Sequence, residues 1–197
     1  PVLHDPNPRK PRNYPGGVNT KLMYDNMMNK FGYGNVDKAK SIYLDNNIMG
    51  MMWNLRYNFT VLADALLDEG KPGDSVVVDQ KKIDLAIQVL DKAQQLLPER
   101  NLPLSLQDMS MVYSYMRADA KDKAKILLDK LYALSYERLE YYAGLSDNMQ
   151  ANYAGDADDC ERTLEQGYNL SKMANDTART KKFEQAAIRF QNFAQKD

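Results

Sequence analysis

The 197-residue chain is 44% hydrophobic and 27% charged, which is typical of a folded globular protein and excludes an intrinsically disordered one. Its 26 basic residues nearly cancel its 27 acidic residues, so no overall charge attracts nucleic acid or an anionic membrane. A single cysteine, Cys160, excludes an intramolecular disulfide and a cysteine-based zinc site. No apolar run reaches the ~18–20 residues that a membrane-spanning helix needs.

Residues 1–18 are predicted to be an extended linker, because they hold five of the eight prolines and two adjacent glycines. Three basic residues among these prolines, Arg9, Lys10 and Arg12, are interpreted as part of a solvated tail. The chain opens with Pro-Val-Leu-His and lacks an initiator methionine, so we expect it to be a piece of a longer protein.

The first helix is predicted to begin at Asn19 or Thr20 and to stop at Gly32. Its apolar residues are expected to form one stripe: Leu22, Met23, Met27, Met28 and Phe31. After a glycine-containing loop and a short extended piece at 41–44, Asp45 is predicted to cap a long helix that runs to about Glu69. The inner face of that helix is expected to hold Ile48, Met52, Leu55, Phe59, Leu62 and Leu66.

Small and large apolar residues then recur at similar spacings in two stretches of the chain. The first stretch holds Leu62, Ala63, Leu66, Gly70, Ala86, Leu90, Ala93 and Pro98, and the second holds Val112, Tyr115, Ala124, Leu128 and Leu131. This pattern is typical of the tetratricopeptide repeat, whose paired helices bury their apolar faces only by stacking on neighbours. It predicts an all-α array of tetratricopeptide-like helical hairpins, with Gly70 ending its helix in a left-handed turn.

The remaining boundaries follow from caps and helix breakers. Residues 71–82 are predicted to be an insertion, with the next helix beginning near Asp79 and ended by Pro98. Ser105 is predicted to cap a helix that ends near Asp119, where the repeat prefers glycine, and a further helix runs over 121–142. The two clear repeat units thus occupy a domain at 19–145. A degenerate third unit is the interpretation for 146–197, with Ala174, Phe183, Ala186, Ala187, Phe190 and Phe193 as its apolar positions.

Catalytic and metal-binding patterns are not found in this sequence. The sole histidine, His4, lies among prolines without a partner, and the neighbours of Cys160 are acidic, which disfavours a reactive thiolate. The acidic residues at 156–159 lack the spacing of a calcium loop. We therefore predict no catalytic residue, no cofactor and no metal, and a chain that is not itself an enzyme.

Thirteen tyrosines and eleven methionines are the unusual feature of the composition. Packing between helices is the preferred interpretation, and a binding platform for a peptide or a sugar is the alternative. The aromatic residues are not interleaved with basic ones as a nucleic-acid groove requires, so no nucleic-acid partner is expected. If the array binds a partner on its concave surface, the candidate residues are Asn54, Arg56, Tyr57, Tyr113 and Tyr115.

Several short segments carry a family resemblance: 16–20, Tyr24-Asp25-Asn26-Met27-Met28-Asn29-Lys30-Phe31, 43–45, 54–56 and Phe59. Together they resemble the C-terminal soluble region of a bacterial family of large multi-spanning membrane proteins, formerly of unknown function, that is grouped with GT-C glycosyltransferases near the protein O-mannosyltransferases. The resemblance covers Gly16 to Leu134. The sequence departs from it at Gly50, where a larger polar or basic residue is expected, and in the length of the insertion at 71–82.

The resemblance implies a domain that is covalently attached to a membrane-spanning region and lies on the periplasmic face of the bacterial inner membrane. It places the sugar-transfer chemistry in the spanning region, so it assigns no catalytic residue to this chain. Asp74-Ser75-Val76 and Asp176-Thr177-Ala178 also resemble an acceptor triplet for periplasmic O-glycosylation.

These observations lead to three functional hypotheses that can be tested. The leading hypothesis is a non-catalytic domain that docks a protein or peptide partner, or an acceptor substrate, for its membrane-bound enzyme. The second is a free-standing glycan-binding helical-repeat protein, in which exposed tyrosines stack on sugar rings. The third is a soluble enzyme, for which the sequence offers no nucleophile, base or metal constellation.

Overall fold

The computed structural model describes residues 17–71 and 78–190. Every regular element within these ranges is helical and none is a β-strand, which confirms the all-α prediction. The chain divides into two compact units, Pro1–Pro103 with Ser110–Ala124 and Leu104–Met109 with Lys125–Asp197. The division at 124/125 lies earlier than the predicted boundary near residue 145. Most of the predicted linker, and part of the predicted insertion, lie outside the described residues.

Among the described helices, none combines the length and the apolar character that crossing a bilayer requires.

The first unit begins with helix α1, Thr20–Asp25, which the side chain of Asn19 caps as predicted by accepting the backbone N–H of Leu22 at 3.0 Å. The helix continues as a π turn, Asn26–Lys30, whose wider winding the sequence pattern did not predict. The predicted apolar stripe does not form one buried face, and only Phe31 follows the π winding and can be rotated by it. Met27 is buried, whereas Leu22 and Phe31 are exposed.

Helix α2, Asn46–Gly70, begins after Asp45, whose carboxylate accepts the backbone N–H groups of Asn47 and Ile48 at 2.9 Å each. The predicted start and length are confirmed, and its C-terminal half is buried as expected. The N-terminal half differs from the prediction at Ile48, which is 43% exposed. Only a neighbouring face of this half is covered, where Met49, Met52 and Trp53 pack against a cluster of Val36, Leu97 and Leu102.

Helix α3, Gln80–Leu96, is capped by Asp79 and packs against α2. Gly70 is helical and has no positive φ, so the predicted left-handed turn at this position is wrong. Glycine is found at position 70 for a different physical reason, which is the close approach of α3. A Cβ atom at Gly70 would lie 3.0 Å from the Cβ of Lys82 and 3.2 Å from the carbonyl oxygen of Asp79, closer than most Cβ atoms approach their neighbours, so the start of α3 favours glycine there.

A capping box at Ser105 and Asp108 forms a 3₁₀ turn, Leu106–Asp108, and leads into helix α4, Met109–Arg117. The chain then turns at Asp119, whose φ of 58° is left-handed, so an aspartate fills the position where the repeat prefers glycine. Helix α5, Lys121–Ala143, follows close to its predicted bounds. The large and small apolar positions predicted for the two repeats are buried: Leu62, Ala63, Leu66, Ala86, Leu90, Ala93, Val112, Tyr115, Ala124, Leu128 and Leu131.

The second unit adds α6, Asp147–Asn152, α7, Ala154–Met173, and α8, Thr177–Phe190. Helices α7 and α8 pack against each other, and Phe183, Ala186 and Phe190 are buried as predicted. The packing is closest at Gly167, where an added Cβ atom would lie 2.2 Å from the Phe183 ring. Ala174 is exposed, contrary to its predicted apolar role, because it caps the end of α7.

Candidate functional site

An open groove of about 410 Å³ lies in the first unit, between the α1–π segment and the middle of α2. Its volume falls in the range of about 300–1,000 Å³ that is usual for ligand-binding pockets. The residues that line it are Gly17, Val18, Asn19, Leu22, Met23, Asn26, Met27, Phe31, Leu55, Asn58 and Val61.

The groove is apolar apart from three asparagines, and no charged residue lines it. The side chain of Asn19 is used as the helix cap. Within the described part of the chain, no hydrogen bond engages the side-chain amides of Asn26 and Asn58. Each of these amides offers two N–H donors and one carbonyl acceptor. The groove therefore presents, on an apolar surface, a few polar groups without hydrogen-bond partners among the described residues.

The α1–π segment is held at the start of α1 and within the π turn. Thr20 donates a hydrogen bond from Oγ1 to Oε1 of Glu69 at 2.7 Å, and Lys82 pairs with Oε2 of the same carboxylate at 2.6 Å. Within the π turn, the carbonyl oxygen of Met27 accepts a hydrogen bond from the Tyr33 hydroxyl at 2.6 Å. These contacts fix the wall of the groove against the buried part of α2.

Tyr33 is suited to this anchoring role. Its ring lies 5.7 Å from that of Phe59 on α2, and burial raises the pKa of its hydroxyl. The hydroxyl therefore stays protonated and remains a donor across the physiological range of pH.

The face of α2 that lines the groove continues toward the start of the helix as a stripe that is half-buried at Leu55 and Asn58 and exposed at Met51 and Ile48. Ile48, Met51, Leu55 and Asn58 follow each other at spacings of three and four residues, which places them on one helix face. Met51 is 71% exposed and Ile48 is 43% exposed. Six of the eleven methionines fall between the first turn of α1 and the second turn of α2: Met23, Met27, Met28, Met49, Met51 and Met52.

The five residues predicted to bind a partner are not brought together on one surface. Asn54 is exposed, and Tyr57 and Tyr113 are half-buried. Arg56 is 2% exposed and donates from Nη2 to the carbonyl oxygens of Leu102 at 2.7 Å and Pro103 at 3.3 Å. Arg56 therefore fixes the backbone that follows α3 and is not available to a partner.

Tyr115 is also inside the fold, with no exposed surface. Its hydroxyl donates to Oδ1 of Asp91 at 2.9 Å and accepts from Nε2 of Gln94 at 2.7 Å, while Lys123 pairs with the other oxygen of Asp91 at 2.5 Å. Burial, together with the Asp91 charge, raises the pKa of Tyr115. Because the Tyr115 hydroxyl makes its hydrogen bonds between packed helices, it is a structural group. The assignment of Tyr115 to a binding surface is therefore wrong.

The tyrosines of the second unit pack mainly on their own neighbours. Tyr132 contacts the edge of Phe183 with ring centres 5.0 Å apart, and Lys182 lies 4.0 Å from the centre of the Tyr132 ring. Tyr142 stacks on Tyr153 with ring centres 4.9 Å apart. These ring surfaces are therefore largely covered by protein, which favours the packing interpretation of the tyrosine content.

The remaining reactive side chains do not converge. Cys160 is buried, and burial raises the pKa of its thiol, which favours the unreactive protonated form. Asp158 and Asp159 pair with Arg162. Across residues 17–71 and 78–190, no group of three or more histidine, cysteine, aspartate or glutamate side chains is arranged to hold a metal ion.

The groove was missed by sequence reasoning because its walls were expected to be buried. The available signal was the absence of charge on α2, where Arg56 is the sole charged residue between Asn46 and Ala63. An exposed helix normally carries charged side chains, so such a stretch indicates either burial or an interaction surface.

Comparisons with protein-family models, curated proteins and solved structures find no match for this chain.

Proposed function

We propose that this chain is a non-catalytic helical scaffold that binds a protein or peptide partner, and that the groove between α1 and α2 is its binding site. The observation that carries the proposal is the groove itself, with its apolar lining, exposed Leu22 and Phe31, and unfilled asparagine amides. The cores of protein–protein interfaces are typically poor in charged residues and rich in methionine and aromatic residues. The described residues that line the groove include Met23, Met27 and Phe31 and none that is charged.

The finer architecture that we propose is a tetratricopeptide-like array. Consecutive helices pack as pairs in α2 with α3 and in α7 with α8, and the predicted repeat positions are buried. Arrays of this kind expose extended surfaces for binding, which supports a scaffold more than an enzyme.

We also propose that the domain belongs to a larger GT-C-like membrane protein and faces the periplasm, where it docks a protein partner or an acceptor substrate. The family resemblance supports this placement. Its most specific run, Tyr24–Phe31, supplies Asn26, Met27 and Phe31 to the groove.

The test is selection of a phage-displayed library of random peptides on the wild-type chain, followed by affinity measurements on variants. Phe31→Ser removes an apolar wall of the groove that is 55% exposed, and Ile188→Ser removes an apolar side chain of α8 that is 66% exposed. We expect selected peptides to lose at least about tenfold in affinity on Phe31→Ser, or about 1.4 kcal/mol, and to be unaffected by Ile188→Ser. Absence of binders, or equal binding to both variants, would overturn the proposal.

A free-standing glycan-binding protein is the second candidate. It is favoured by Tyr43, which is 89% exposed, and by Tyr141, which is 57% exposed. Carbohydrate-array binding that disappears in Tyr43→Ala or Tyr141→Ala would support it over the peptide scaffold.

A further inference from the structure

We infer that the groove takes an amphipathic α-helix of a partner protein, about four turns long, whose buried face is apolar and uncharged. This inference rests on the proposed function, because it names the kind of partner that the same groove fits.

The first argument concerns the hydrogen bonds of the occupant's backbone. An extended peptide that enters an apolar site needs a partner for the N–H and C=O group of nearly every buried residue. The groove offers few such groups, since eight of its eleven lining residues have no polar side chain and Asn19 is already engaged. A helix satisfies its own backbone, so it can enter this groove without leaving buried polar groups unpaired.

The second argument concerns charge. No charged side chain lines the groove, and from Asn46 to Ala63 the sole charged residue is Arg56, which is buried against backbone carbonyl groups. A charged side chain of the partner would lose its hydration here without finding an opposite charge. The amides of Asn26 and Asn58 can instead accept or donate to a neutral polar group on the partner.

The third argument concerns length and adaptability. The stripe and the groove together extend along α2 from Ile48 to Val61, which is about 20 Å at 1.5 Å per residue and matches about thirteen residues of a facing helix. Such a helix is recognised through apolar side chains at spacings of three and four residues. The flexible side chains of Met23 in the groove and Met51 on the stripe can adjust to different apolar anchors.

The experiment compares two displayed libraries on the full chain. One presents sixteen-residue alanine-rich helices with randomised residues at positions i, i+3, i+4, i+7, i+8 and i+11, and the other presents proline-rich extended peptides of equal length. Met51→Glu places a charge on the stripe at a residue that is 71% exposed, and Ile188→Glu, at a residue that is 66% exposed, is the matched control. Thermal melts establish that both variants are folded.

We expect binders from the helical library that lose at least about tenfold on Met51→Glu and are unchanged on Ile188→Glu. A single central proline in these binders should abolish binding, and circular dichroism should show a helical bound peptide. If the extended library alone yields binders that are sensitive to Met51→Glu, the helical inference is overturned while the proposed function stands.

If neither library yields binders that are sensitive to Met51→Glu or Phe31→Ser, both proposals are overturned. Sedimentation of the chain without peptide tests a further occupant. A dimer that Met51→Glu dissociates would identify a second copy as the occupant and would overturn the inference of a separate partner.

Discussion

At the scale of single residues, small residues and buried, hydrogen-bonded polar residues determine how closely the helices approach one another. Gly167 lies where the Phe183 ring leaves no room for a Cβ atom, and at Gly70 the start of α3 would lie unusually close to one. Arg56 and Tyr115, by contrast, are large polar residues whose hydrogen bonds are met inside the fold. A sequence pattern identifies such residues as unusual, but it does not distinguish a buried polar group from an exposed binding group.

Gly167→Ala should destabilise the protein by about 1–3 kcal/mol, because the added methyl group would collide with the Phe183 ring. Chemical denaturation measures the loss. Gly155→Ala is the matched control in the same helix, since nothing lies within 4 Å of its Cβ position and alanine has the higher helix propensity. Equal stability of the two variants would show that the α7–α8 contact is less tight than described.

At the scale of elements, capping residues made the helix boundaries predictable. Asn19 and Asp45 cap the helices that the sequence assigned to them, Asp79 caps the helix that was predicted to begin near it, and Ser105 begins the 3₁₀ turn that leads into α4. The π turn was not predictable in the same way, because its residues satisfy an ordinary helical pattern, and the hydrogen bond from Tyr33 to the carbonyl group of Met27 inside it leaves no trace in that pattern. The candidate groove depends on that winding, so its position could not be inferred from periodicity.

Tyr33→Phe should weaken the π turn selectively, because it leaves the carbonyl group of Met27 without its hydroxyl donor while it keeps the aromatic packing. We expect a loss of about 0.5–1.5 kcal/mol. Hydrogen exchange of the Phe31 amide, which donates to the carbonyl oxygen of Asn26 at 2.8 Å, should accelerate.

Tyr24→Phe serves as the control for this prediction, since Tyr24 lies in α1 and its hydroxyl has no hydrogen bond within the described part of the chain. Unchanged exchange at Phe31 in Tyr33→Phe would mean that the winding is set by other contacts.

At the scale of the whole molecule, acidic groups in the two units have opposite effects on the pH dependence of stability. In the second unit, hydrogen bonds from Arg179 lower the pKa of Asp176. In the first unit, burial raises the pKa of Asp64 despite its hydrogen bond from Ser114 at 2.8 Å and its ion pair with Arg117 at 2.8 Å. A lowered carboxyl pKa stabilises the fold above the unfolded-state value and a raised one does the reverse.

Asp176→Asn should therefore reduce stability at about pH 7 and reduce it less at about pH 3, because below the unfolded-state pKa of about 3.9 the contribution of this carboxylate is already partly lost. The wild type loses the stabilising contribution of this carboxylate as pH falls through the folded-state pKa, whereas the variant has none to lose. Denaturation curves at both pH values measure the difference. Glu137→Gln, at an exposed position on α5, is the control, and an equal effect of Asp176→Asn at both pH values would contradict the assignment.

The burial of Arg56 has a consequence for how fast a partner can be captured. Because its guanidinium group is held by the carbonyl groups of Leu102 and Pro103, the part of α2 from Asn46 to Ala63 presents no exposed charge to accelerate diffusional encounters. Association at this part of the helix should proceed at an ordinary unsteered rate, about 10⁵–10⁶ M⁻¹s⁻¹, and should change little with ionic strength. The lifetime of the complex, set by apolar contact, would then determine the affinity.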